Sequence, residues 1–341
     1  MTNLVRFPTP NRFLSPQIPD WEITPPPGWN STSKLPEITD LASFVEVHRY
    51  ADWRIKNYVA YPQENYVVRA HRDVVRGLQR GAAAELLANN ALARIGFAEI
   101  AVEHLKAHGG IDRGPVCFVT LAPKQYAFPI PQSRYRFPPL ETEPRRSSKA
   151  ANFDIRKLQA FARQAMGEIP FLGIVEVAFF RNWGPEGQSR YDWASWHTHL
   201  LSWGATHAEV SRTLSPVRAK HQSLIKGSPA AHALKLSHDD KNSIERSIFY
   251  KMKAPQKQYR VVYYNKEWKN KKGDVLKPGW HLRKDWLRTG QRVQLLDIVG
   301  ERTLDQLLFG NLEGTKLARA ISDEALSTYH DYERRQPWAR R

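Results

Sequence analysis

The chain holds one cysteine, Cys117, among 341 residues. A lone thiol excludes disulfides within the chain and zinc sites built from several cysteines. Long apolar runs are missing too. No stretch approaches the roughly 20 residues of a spanning helix, and no strongly amphipathic basic helix stands out. A membrane partner is therefore not expected. The opening residues, MTNLVRFPTPNRF, lack the apolar core of a secretory signal. No GxxxxGK[ST] phosphate loop occurs, so no attached helicase is expected. These absences together read as a soluble intracellular protein.

Acidic residues are also scarce, 34 against 51 lysines and arginines, for a net charge of +17. Such an excess favours a polyanionic partner, most simply nucleic acid. What is present suffices for a folded core: hydrophobic residues make up 41% of the chain. The length suggests about two or three structural units.

Residues 1–40 are rich in proline and polar residues, including Pro25-Pro26-Pro27-Gly28, and read as an extended arm. Residues 41–110 read as mainly helical, with apolar residues at mixed three- and four-residue spacings and breaks expected at Gly81 and Gly96. Arg69, Arg72, Arg76 and Arg80 recur along one helical face, either solvated or facing phosphates. Val116 to Leu121 reads as a buried strand. A proline-rich loop with Arg145 and Arg146 follows, then a helix from Asp154 to Met166 with Asn152 or Asp154 as its cap. Phe171 to Phe180 reads as a strand, joined by a hairpin loop around Gly184-Pro185-Glu186-Gly187 to a second strand.

That second strand, Trp196-His197-Thr198-His199-Leu200-Leu201-Ser202-Trp203, carries two histidines two residues apart. Alternate strand residues share a face, so His197 and His199 point at one spot. Neutral imidazoles so placed suit a divalent metal; the plainer reading is two inert histidines in a half-buried strand. Helices are expected over Ala208–Leu214, Val217–Ile225 and Ser243–Met252, with a short strand near Ala233–Leu236 and another at Tyr259–Tyr264. Lys266 to Lys277 reads as a basic loop, and the region from Leu282 onward as mainly helical. Arg145, Arg146, Lys266, Lys269, Lys271 and Lys272 are candidate nucleic-acid contacts, the lysines equally a solvated loop.

Three features occur in order: Phe118-Val119-Thr120-Leu121 on a strand, His197-Thr198-His199 on another, and Tyr250-Lys251-Met252-Lys253 on a helix. This order resembles the HUH endonucleases, in particular rolling-circle replication initiators with one catalytic tyrosine, over residues 111–265. The residue between the two histidines is usually bulky and apolar in that family, and here it is Thr198. The resemblance implies an α+β nuclease domain whose antiparallel sheet forms an RRM-like palm, with helical extensions on both sides. The C-terminal one, residues 266–341, would be basic. It implies site-specific nicking and joining of single-stranded DNA at a replication origin of a plasmid or mobile element. The bacterial cytoplasm and host replication proteins would be its setting. A single-strand transposase of the same chemistry is the first alternative, and a non-catalytic basic DNA-binding protein the second.

The residue chemistry runs parallel to this. Tyr250 can attack phosphorus through its hydroxyl, and Lys253, one helical turn on, can steady the developing charge. Mg²⁺ or Mn²⁺ on His197 and His199 would take a carboxylate as third ligand, since these ions prefer oxygen. Glu176 is the candidate, a charge in the apolar strand Ile174-Val175-Glu176-Val177-Ala178. With the hairpin turn centred between Glu186 and Gly187, Glu176 stands opposite His197. A slip of one residue would turn it away and leave Asp192 or Gln188 as the replacement.

Overall fold

The structure is a computed structural model that describes residues 35–60, 86–109, 111, 114–130, 149–181, 183–184, 187–188, 192–225, 228–236, 241–269 and 275–335. The stripe Arg69, Arg72, Arg76 and Arg80, the pair Arg145 and Arg146, and Lys271 and Lys272 lie outside the described residues. So does nearly all of the N-terminal arm.

The fold is mixed α+β, built on one mostly antiparallel sheet of eight strands. Its two long central strands are β3 (Phe171–Arg181) and β6 (Asp192–Trp203). Both are buried along nearly their whole length because both of their faces are covered. They pair antiparallel from Phe171 opposite Ser202 to Phe180 opposite Trp193. Each then has its outer edge shared by two shorter strands. Beside β6 lie β1 (Val116–Leu121), followed outward by β7 (Ala231–Lys235), and β2 (Ala127–Ile130). Beside β3 lie β12 (Leu308–Asn311), antiparallel to its start, and β8 (Lys257–Tyr264), parallel to its end. Antiparallel to β8 runs β11 (Gly279–Trp286). Two small ribbons, β4 with β5 (Trp183–Gly184 and Gly187–Gln188) and β9 with β10 (Trp268–Lys269 and Val275–Leu276), complete the strands.

Two helical layers bury the faces of the sheet. On one side α3 (Ile155–Met166), N-capped by Asp154, follows the segment that carries Phe153 to within 5.9 Å of the fully buried Trp196 ring. The opposite face, which carries His197, His199 and Glu176, is covered by α2 (Ala91–Ala107) and α6 (Lys241–Met252). Behind these stands α1 (Leu41–Ala60), whose Phe44 ring meets Phe249 of α6 at 5.1 Å. Short helices α4 (His207–Thr213) and α5 (Ser215–Lys220) connect β6 to β7. The chain ends with α7 (Thr289–Val299), α8 (Leu304–Leu307) and α9 (Glu313–Arg335). The start of α9 presses on the sheet so closely that a Cβ on Gly314 would lie 1.7 Å from the Phe171 carbonyl oxygen.

Several elements differ from the sequence reading. Gly96 does not break α2; that helix is buried on nearly all sides, and packing overrides the weak propensity of one glycine. Residues 279–286 form a strand, not a helix, because Leu282, Lys284 and Trp286 alternate with His281, Arg283 and Asp285 at period two. The basic loop Lys266–Lys277 contains β9 and β10. The second short helix stops at Lys220, before the expected Ile225. Beyond residue 265 the chain is not only helical: β11 and β12 join the same sheet as the histidine strand.

Candidate metal centre

The hairpin register decides the site. Glu176 stands opposite His197 in the β3–β6 ladder, as the turn geometry had suggested. The small ribbon at the tip pairs Trp183 with Gln188 and Gly184 with Gly187. Its turn is therefore centred one residue earlier than assumed. The offset between ribbon and main ladder is an even number of residues, so Glu176 keeps its face. Asp192 lies five residues before His197 on the same strand and so faces the other side.

Three donors converge from this geometry. The two Nε2 atoms of His197 and His199 are 3.2 Å apart. Glu176 Oε2 lies 3.6 Å from the first and 3.3 Å from the second. Ligands bonded to one ion at about 2.1 Å sit about 3 Å apart at octahedral corners and about 3.4 Å apart at tetrahedral ones. The three side chains thus form a group that could hold a metal ion, with the mixed nitrogen and oxygen set suited to divalent cations. The far ring nitrogens are tied as well. His197 Nδ1 donates to the Ser195 carbonyl at 3.2 Å, and His199 Nδ1 meets the Thr120 hydroxyl of β1 at 2.9 Å. Such outer contacts fix ring orientation and leave Nε2 free for the ion. Thr120 is Cα partner to His199, which explains why a threonine on β1 serves this site.

The electrostatics favour the ligand forms. Burial pushes the His199 imidazole down to about 4, against the opposing pull of Glu176, so it is neutral near pH 7. Burial would raise the Glu176 carboxyl, but the Lys253 ammonium and the facing imidazoles of His197 and His199 outweigh it and hold it well below the usual range. Lys253 Nζ bonds Glu176 Oε1 at 3.1 Å, and both side chains are about nine-tenths buried.

Tyr250 arrives from α6. Successive residues point about 100° apart on a helix, so Phe249 enters the core while Tyr250 turns to the sheet and stays half-buried. Its ring stands edge-on to His199 at 5.9 Å and to Phe118 at 6.1 Å. Lys253, three residues on, places Nζ 4.0 Å from the centre of the Tyr250 ring. The tyrosine, the lysine and the three donors therefore occupy one place.

The sequence reading missed the supports of Lys253. His48 of α1 donates through Nδ1 to the Phe44 carbonyl at 2.7 Å. Its Nε2 is then left to accept the Ala254 N–H at 3.0 Å. Burial drives the His48 imidazole down to about 3, which keeps that acceptor free. Arg94 of α2 donates to the Met252 carbonyl at 2.6 Å, and Arg292 of α7 to the Pro255 carbonyl at 3.2 Å. The signal was present as charges inside apolar stretches, Ala93-Arg94-Ile95 and Arg292-Val293, but nothing local tied them to Lys253. Of the other candidates, Lys266 and Lys269 are exposed beyond β8, Lys266 in the bend that follows it and Lys269 on the separate β9–β10 ribbon.

Comparison with family models, with curated proteins and with solved structures returned no match. Among the described residues no helix is long and apolar enough to cross a membrane.

Proposed function

We propose that the protein nicks and rejoins single-stranded DNA by transesterification through Tyr250, as the resemblance to HUH replication initiators implies, on a sheet serving as their RRM-like palm. One observation carries this reading: Tyr250 and Lys253, one helical turn apart, meet a Glu-His-His donor set contributed by two different strands. A core tyrosine and a solvated lysine have no reason to converge there.

Glu176, His197 and His199 would hold Mg²⁺ or Mn²⁺, which supplies a Lewis acid for a phosphoryl oxygen. Tyr250 Oη attacks the phosphorus, the bond from phosphorus to the 3′-oxygen breaks, and the 3′-oxygen leaves as a hydroxyl after taking up a proton. The phenolic proton passes to solvent. The protein is left with a 5′-phosphotyrosine and the DNA with a 3′-hydroxyl able to prime synthesis. Lys253, held by Glu176, presents its charge to the phenol oxygen as negative charge develops. Rejoining is the reverse, with a 3′-hydroxyl attacking the phosphotyrosine. The natural substrate on this reading is an origin of a plasmid or mobile element in the bacterial cytoplasm, worked with host replication proteins.

Incubation of the full chain with labelled single strands and Mn²⁺ tests it. A covalent protein–DNA adduct that withstands denaturation is the expected result. Its absence across a library of single strands would leave the non-catalytic DNA-binding alternative. Transposon ends, in place of an origin, as the preferred substrate would favour the transposase.

A further inference from the structure

The face that carries the metal donors does not end at β3. Residues two apart on a strand share a face, and ladder partners share it across strands. Phe180 therefore lies on the Glu176 side of β3, and its partner on β8 is Tyr259. The two rings stack at 5.0 Å, which fits that placement. Along β8 the same face takes Lys257 and Tyr263. Across to β11 it takes Trp286, Lys284 and Leu282, the partners of Lys257, Tyr259 and Val261. On the same side, β8 thus lies one strand spacing, about 5 Å, and β11 two, about 10 Å, from the strand of Glu176.

This ribbon is exposed where the central strands β3 and β6 are covered. Among the described residues, Tyr263 is 54% exposed, Leu282 44% and Trp286 39%. Exposed Trp268 and Val275 sit on the adjoining β9–β10 ribbon. Lysines lie over the rings: Lys257 Nζ is 2.8 Å from the Trp286 ring centre, and Lys284 Nζ is 5.5 Å from that of Tyr259. The acid of β11, Asp285, belongs to the reverse face, where Arg260 and Arg283 neutralise it at 2.8 and 3.0 Å. Residues 257–286 carry nine lysines and arginines against three acids, an excess of six.

We propose that the Tyr263, Leu282, Trp286 face of β8–β11, with Lys257 and Lys284, is a stacking platform for single-stranded nucleic acid running away from the metal centre. The proposal rests on the nicking reading for its direction, not for its chemistry. Exposed rings at Tyr263 and Trp286, with lysines beside them and Asp285 turned to the reverse face, suit a chain of unpaired bases joined by phosphates. A protein partner would be met instead by an apolar patch with mixed charge at its rim.

The test uses the full chain in EDTA and a fluorescein-labelled 30-nucleotide strand of mixed sequence, read by anisotropy, with its duplex as control. The double variant Tyr263→Ala, Trp286→Ala should bind the single strand roughly tenfold more weakly or worse, because each base–ring stack carries about that much. Duplex binding should change little, and Trp286→Phe should restore most of the loss. Replacing Lys257 and Lys284 by methionine should lower the salt slope of single-strand binding by about 0.7 each. Unchanged single-strand affinity in the ring variant overturns the platform. So does sedimentation in which that variant dissolves a wild-type dimer, which would assign the face to a second copy. If the wild type forms no covalent adduct while the ring variant loses single-strand binding, the nicking reading falls and the platform stands. An adduct with ring variants that bind like wild type gives the reverse.

Discussion

The two ends of one sheet face are built on opposite principles. At β3 and β6, Glu176, His197, His199 and Lys253 are about nine-tenths buried and satisfy one another at 3.1 to 3.6 Å. At β8 and β11, Lys284, Tyr263 and Trp286 are exposed, with Lys257 over the Trp286 ring and Lys284 over that of Tyr259. In the buried end each charge depends on its neighbour, so removal of one leaves another uncompensated in a poor dielectric. In the exposed end the groups are screened by solvent, so removal of one costs its neighbours little. Chemistry at a phosphorus atom requires the first arrangement, and gripping a strand of any sequence requires only the second.

Four substitutions or conditions would break or sharpen this contrast. The largest effect is expected from Tyr250→Phe, which keeps the ring packing on His199 and Phe118 and removes the attacking oxygen. Adduct on a denaturing gel should vanish while single-strand affinity in EDTA stays within about twofold of wild type. Adduct at undiminished yield would move the nucleophile elsewhere.

Next comes the donor set. Glu176→Ala or His199→Ala should lower Mn²⁺ affinity by about a hundredfold or more in calorimetric titration, and nicking with it, since each removes one of three ligands. Glu176→Ala also strands the buried Lys253 ammonium and should destabilise the fold by about 3–5 kcal/mol in urea unfolding. Equal Mn²⁺ affinity in all variants would leave the three residues a purely structural cluster.

Acid should act on the buried end alone. His48 titrates at about 3 in the folded chain, and the ordinary imidazole value near 6.5 applies when unfolded. Between those values the unfolded chain binds the proton first, so stability falls as pH drops, by about 1.4 kcal/mol per pH unit for this one group. The depressed Glu176 carboxyl works in the same direction: its contribution is present above the unfolded carboxyl value and is lost as pH falls through the folded one. Urea unfolding at pH 7, 5 and 4 should show the decline, and His48→Gln should flatten it. A pH-independent midpoint would mean that His48 is not buried neutral.

The smallest effect is expected from the supports of Lys253. Arg94→Met removes the donor to the Met252 and Ala88 carbonyls, and its consequence should be a roughly tenfold slower adduct rate at saturating DNA with little change in KM, since the segment that carries the lysine loses its tie. A change confined to KM would instead connect Arg94 to DNA binding.

The local pattern of the chain determined much of this by itself. Period-two alternation placed His197 and His199 on one face, the cap at Asp154 and the apolar stripe behind it defined α3, and a short hairpin with an even offset kept Glu176 on the histidine face. Those features depend on neighbours a few residues away or on one turn, and sequence spacing carries them. Only the tertiary structure decided that Thr120 would meet His199 from 79 residues away, that His48 and Arg94 would hold the segment around Lys253, and that β8 would run parallel to β3. It also decided that residues 279–286 would extend the same face as an exposed ribbon. Contacts of that kind are set by which apolar faces bury one another across long loops, a choice made by the whole core and not by any stretch of chain.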